Sequence, residues 1–142
     1  MNGDTAIGVI TRALADRPEV RLAYLFGSRG RGDEGPTSDY DVAVLLDSEL
    51  AATEGWRVIA RLQSDLTRDL GTDDVDLVDL ATAPLPLAFR VLRDGRRLLE
   101  RDPIEGVRYE ADIASRWGDF EPWLKRYNDV ARDRLRRGEL GR

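Results

Sequence analysis

The chain has no cysteine and no histidine among its 142 residues. Without cysteine there are no disulfides, no zinc–thiolate sites and no thiol catalysis. Without histidine the usual general base and the commonest metal ligand are missing, and so is the Ser–His–Asp mode of hydrolysis. Chemistry must then rest on carboxylates, hydroxyls, arginine, the single lysine Lys125 or backbone dipoles. A metal held by such a chain has oxygen ligands, which points to Mg²⁺, Mn²⁺ or Ca²⁺. No apolar run approaches the roughly 20 residues of a membrane span. The start carries Asp4 where a signal peptide has a basic stretch leading into an apolar one. The expected protein has no membrane association and resides in the cytoplasm.

An excess of positive charge is also lacking. The net charge is −5, which argues against nucleic acid as a direct partner. A local basic patch stays available, because arginine is abundant and its planar fork suits phosphate. What is present is a globular composition, 42% hydrophobic and 35% charged. The length fits one compact domain. We expect a single domain over residues 1–142, with a core at about 1–100 and a helical C-terminal region at about 103–138.

Pattern and punctuation predict the elements. Asp4 can cap a helix over residues 5–16, with Ile7, Ile10 and Leu14 on one face, ended by Pro18. Val20 to Phe26 reads as a buried strand between Pro18 and Gly27, and Tyr40 to Leu46 as a second. Ser48 can cap a helix that stops at Gly71. Residues 75–80 alternate V-D-L-V-D-L as a third strand. Pro84 and Pro86 open a helix ending at Gly95, and residues 96–100 suit a short edge strand. Asp102-Pro103 starts a C-terminal helix, which Pro122 is expected to break or kink around Asp119. Trp117, Phe120, Leu124, Tyr127 and Ala131 form a stripe along it that packs on the domain's own sheet or docks a partner. The fold class is α/β (α+β): a small mixed sheet flanked by helices.

The chemistry concentrates in residues 27–41, whose skeleton is Gly27-Ser28, ten residues, then Asp39-Tyr40-Asp41. A glycine after a strand lets phosphate approach the backbone, and free N–H groups at a helical turn form an anion site. Ser28 can donate one more hydrogen bond, while Arg29 and Arg31 can offset triphosphate charge. Asp39 and Asp41, two apart on a strand, point to one face with Cα atoms roughly 6.6 Å apart. They repel unless a cation lies between them, and a two-metal site uses such a pair. Asp76 is the candidate third carboxylate and the candidate general base, whereas Asp79 falls on the other face of its strand. A lone Gly-Ser or Asp-x-Asp is commonplace. Joined at fixed spacing between two strands, the four positions arise by accident in well under ~1% of chains of this length.

Residues Leu25 to Gly32 and Ser38 to Val44 resemble the signature of the DNA polymerase β-type nucleotidyltransferases. More closely, the chain resembles the minimal nucleotidyltransferase (MNT, MntA-like) antitoxins. That likeness continues through residues 75–80, the helix after Pro84, residues 95–100 and the tail from Phe120 to Leu135. Gly30 stands where relatives often carry alanine. The resemblance implies a polymerase β-like core with a C-terminal helix. It implies an enzyme that uses Mg²⁺-ATP to place AMP on a tyrosine of a HEPN ribonuclease toxin, with which it would form a hetero-oligomer. Gly27 and Ser28 would bind phosphates, and Asp39, Asp41 and Asp76 would hold two Mg²⁺ ions. Two alternatives stand beside this: a non-catalytic antitoxin acting by occlusion, and a nucleotidyltransferase for a small molecule such as an antibiotic. The short chain leaves little to grip a small acceptor, which favours a protein acceptor.

Overall fold

The structure, a computed structural model, describes residues 3–27 and 39–138. Its elements are α1 (Gly3–Ala15), β1 (Val20–Phe26), β2 (Tyr40–Leu46), α2 (Ser48–Leu70), β3 (Val75–Asp79), α3 (Leu85–Asp94), β4 (Arg96–Glu100) and α4 (Pro103–Arg136). The four strands make one mixed sheet in the order β3-β2-β1-β4. β1 runs antiparallel to both β2 and β4. β2 and β3 are parallel, with Asp41 opposite Asp76. That pairing needs a crossover, and α2 supplies it.

Alternation along the strands feeds two cores. Ala23, Leu25, Val42, Val44, Val75 and Leu77 face Ile10 and Leu14 of α1 and Leu62 and Leu66 of α2. Leu22, Tyr24 and Ala43 face Val91 of α3, with Leu87 of α3 and Tyr109 of α4 packed alongside. The sheet is therefore covered on both faces, which is why its inner strands read as apolar runs. Truncating a fully buried residue such as Leu66 or Leu25 to alanine costs about 2–5 kcal/mol in cores of this kind. Arg101 ties the layers together by donating to the carbonyls of Leu14, Ala15, Arg17 and Val20 at 2.7–3.1 Å. A cation there also suits the C-terminal end of α1.

Both long strands match their predicted bounds, and the fold class and the β4 edge strand stand as expected. Four details differ. α1 begins at Gly3, so Asp4 lies inside its first turn and does not cap it. The cap of α2 is Asp47 and not Ser48: the Asp47 carboxylate accepts from the Glu49 and Leu50 amides at 3.1 and 3.4 Å. α2 also carries a kink at Glu54, with φ −136°, beside the buried Gly55. Finally, α4 continues through Pro122. Proline there removes the bond to the Gly118 carbonyl, but Gly118 is exposed and water can satisfy it. Ring contacts from Trp117 through Phe120 and Trp123 to Tyr127, with centroids 5.6–5.7 Å apart, cross the proline and hold the helix together.

The tail divides. Trp117 stacks on Phe89 of α3 at 4.6 Å and 9°, and Ile113 is buried. Beyond Phe120, Trp123, Tyr127, Val130 and Leu135 are 52–59% exposed. The aromatic stripe thus meets α3, not the sheet, and the large side chains of its far half are mostly exposed.

Candidate functional site

The site is built at the end of the sheet where β1 finishes and the parallel strands β2 and β3 begin. Strand alternation decides which side chains share a face. Val42, Val75 and Leu77 belong to the α1–α2 core, so their neighbours Asp41 and Asp76 point to the opposite side, toward the α3–α4 layer. Asp39, two residues before Asp41, falls on that same side. Adjacent strands lie roughly 4.8 Å apart, so the register Asp41↔Asp76 sets two carboxylates side by side.

Gly27 ends β1 next to them, because Phe26 pairs with Asp41. It has φ +66°, the left-handed region that favours glycine. A Cβ at this position would collide with Asp41 Oδ2. The bare backbone of Gly27 and the Asp41 carboxylate therefore occupy one confined place. Ser28, Arg29 and Arg31 lie outside the described residues.

Burial holds the Asp41 carboxyl above its ordinary pKa, and the charges of Asp76 and then Asp39 push it further in the same direction. None of the three acids has a cationic partner among the described residues. No group of three or more acidic side chains among the described residues is drawn together tightly enough to ligate an ion in this conformation. Asp39 and Asp76 are exposed and lie close enough to the partly buried Asp41 for it to feel their charge. A half-buried anion with two like charges beside it is costly unless a cation is shared among them. Six carboxylate oxygens without nitrogen or sulfur form a donor set for a hard cation such as Mg²⁺. Asp79, on the other face, does different work. Its Oδ1 accepts from the Ala81 amide at 3.0 Å and shapes the turn after β3.

Two residues beside this group had not stood out in the sequence. A cavity of about 120 Å³ is lined by Phe26, Gly27, Leu87, Arg90 and Asp94. Arg90 is an exposed cation on its rim, and only its proximity to Gly27 marks it out among many arginines. Gln63 of α2 bonds to the backbone on both sides of Asp76. A larger groove of about 830 Å³ lies at the opposite end of the sheet, lined in part by Leu46, Ser48, Ala52 and Arg108. It contains none of Asp39, Asp41 and Asp76, and its Arg21 is already held by Glu105 through two bonds of 2.9 and 2.7 Å. Asp39, Asp41, Asp76 and Gly27 thus lie at the other end of the sheet from this groove.

Known proteins resemble this chain in sequence and fold. The model of the polymerase β nucleotidyltransferase family matches residues 9–104. A protein adenylyltransferase MntA from Shewanella oneidensis is 38% identical over 90 residues, 63% of this chain and 61% of that relative. The match thus spans less than two thirds of that relative's length. A protein adenylyltransferase MntA from Aphanizomenon flos-aquae is 33% identical over 112 residues, 72% of this chain and 71% of the relative. A solved toxin–antitoxin structure with AMP-PNP superposes with a TM-score of 0.70 at 27% identity, covering 88% of this chain and 97% of the other. Another, a tri-AMPylated Shewanella oneidensis HEPN toxin in complex with MNT antitoxin, gives 0.65 at 25% identity, covering 90% and 97%. Among the described residues no helix is long and apolar enough to cross a membrane. With the family model matched over more than half of its length and the sheet, glycine and paired aspartates arranged as described, this chain belongs to the polymerase β family of nucleotidyltransferases.

Proposed function

We propose that the chain, acting as one domain in the cytoplasm, transfers AMP from ATP to a tyrosine hydroxyl of a HEPN ribonuclease toxin and is that toxin's antitoxin. The observation that carries this reading is the in-register pair Asp41–Asp76 beside Gly27. The names of the relatives, protein adenylyltransferase MntA, support the reaction type. The toxin complexes among the structural neighbours support the partner.

In this reading Gly27 presents bare backbone to the triphosphate, Ser28 adds a hydroxyl donor, and Arg29 and Arg31 balance charge. Asp39, Asp41 and Asp76 would hold two Mg²⁺ ions, which would supply positive charge to the triphosphate and to the leaving pyrophosphate. Asp76, exposed at the sheet edge, accepts the proton of the acceptor hydroxyl. The acceptor oxygen forms a bond to the α-phosphorus, the bond to the bridging oxygen breaks, and pyrophosphate departs.

The test is the double change Asp39→Asn and Asp41→Asn, which keeps shape and removes the charge. Wild-type chain co-expressed with its partner leaves a partner heavier by one or more AMP units on intact-mass measurement. The double variant still co-purifies with the partner, leaves it unmodified and fails to protect cells. Full protection by the double variant with an unmodified partner would show silencing by occlusion.

A further inference from the structure

We propose that Gln63 is a positioning residue that locks Asp76 in register; the proposal rests on the reading of Asp76 as metal ligand and proton acceptor. β3 is the outermost strand on its side of the sheet. Asp76 is thus the one member of the acidic group on a strand with a single neighbour. Along β3, alternate residues turn their backbone groups toward β2 or away from it. The Asp74 carbonyl, which accepts from the Tyr40 amide at 2.7 Å, faces β2. Val75 and Leu77, out of phase with it, turn outward, where an edge strand ordinarily meets water.

Here it meets Gln63. The side-chain Nε2 donates to the Val75 carbonyl, and Oε1 accepts from the Leu77 amide at 2.9 Å. One primary amide therefore supplies the donor and the acceptor that the backbone of a further strand would provide. The two groups it binds belong to the residues immediately before and after Asp76. Gln63 sits on α2 next to the buried Leu62, so its position is set by the core.

The consequence is register. A one-residue slip of β3 would turn Asp76 to the α1–α2 face and set an apolar side chain opposite Asp41. β3 is only five residues long, so its pairing with β2 gives limited resistance to slipping or fraying. Gln63 provides the second hold. The residue type is informative as well. Glutamate could accept from Leu77 but would oppose its charge to the Val75 carbonyl, and leucine could do neither.

The test uses the full chain with Gln63→Leu and Gln63→Glu, and Asp76→Asn beside them. The first readout needs neither metal nor nucleotide. In EDTA, hydrogen exchange at the Leu77 amide quickens by about tenfold or more in Gln63→Leu, while Gln63→Glu keeps part of its protection. The second readout is the Mn²⁺ concentration giving half-maximal AMP transfer, taken well below the melting temperature. Losing support behind a metal ligand typically costs about 10–100-fold in metal affinity, so a rise of that size is expected in Gln63→Leu, and a smaller rise in Gln63→Glu. A residue that only stabilises the fold would lower the melting temperature and leave the Mn²⁺ dependence unchanged, and that result overturns the proposal. If Asp76→Asn transfers AMP like wild type, the reading of Asp76 has failed. If Asp76→Asn is inactive and both Gln63 variants keep wild-type Mn²⁺ dependence, the positioning role alone has failed.

Discussion

Two glycines with nearly the same backbone geometry make a controlled comparison. Gly27 has φ +66° and Gly71 has φ +68°. Alanine at either must adopt a left-handed conformation, at roughly 1–2 kcal/mol. For a chain near this size each kcal/mol lowers the melting temperature by about 2–4 °C, so both variants are expected to melt about 2–8 °C early. Their surroundings differ. Nothing lies within 4 Å of a Cβ added at Gly71, whereas one at Gly27 runs into Asp41 Oδ2. The carboxylate is the free end of a side chain and can swing aside at small cost in stability. It cannot do so and keep its place beside Asp76. A displacement of about 1 Å at a reacting centre can cost about 10²-fold in rate. Gly71→Ala is therefore expected to transfer AMP like wild type, and Gly27→Ala about 100-fold more slowly, at matched stability. The assay is initial-rate AMP transfer to the partner, with calorimetry of both variants. Equal turnover of the two well below their melting points would refute the inference that Gly27 makes room for Asp41.

The raised pKa of Asp41 yields a second expectation. Its folded-state value lies above its unfolded value, so ionised Asp41 opposes folding, and the opposition disappears as pH falls below the unfolded value of about 4. In EDTA, Asp41→Asn should thus melt higher than wild type around neutral pH, with the gain shrinking on acidification; a gain independent of pH would contradict the cause assigned. Arg90→Ala should raise KM for ATP several-fold with a smaller change in kcat, the signature of lost ground-state binding; an unchanged KM removes Arg90 from the nucleotide site. A chain ending after Glu121 should keep its fold, since Trp123, Tyr127, Val130 and Leu135, which it loses, are each more than half exposed, yet lose capture of its partner in co-purification. If that truncation unfolds, the tail belongs to the core.

The parts legible in the sequence were those fixed by local pattern. β1 and β2 are apolar runs bounded by Pro18, Gly27 and Asp47, and a run with such ends has few alternatives. Asp76 and Asp79 could be assigned to opposite faces from their spacing alone, and the packing agrees: Asp79 Oδ2 approaches Gly55 of α2. The α2 cap was ambiguous because Asp47 and Ser48 both cap well, and the non-helical backbone of Asp47, with ψ 135°, together with its side-chain bonds selects it. The kink at Glu54 left no pattern, because the apolar face of α2 persists on both sides of it. At Pro122 a sound local rule was outweighed by ring contacts and an exposed carbonyl.

Gln63 and Arg90 were illegible for a different reason. Each is a polar residue of ordinary type on an amphipathic helix, where most polar residues meet only water. Their proposed roles come from what the sheet brings against them. Parallel pairing of β2 and β3 forces the chain over one face as α2, and the return places α2 along the outer edge of β3, where Gln63 meets Val75 and Leu77. The same topology puts Asp76 at that edge, exposed to solvent and to fraying. Access and precision thus conflict at one residue. A side-chain amide from the crossover helix reconciles them, since it fixes the backbone on either side of Asp76 and leaves the carboxylate free on the other face.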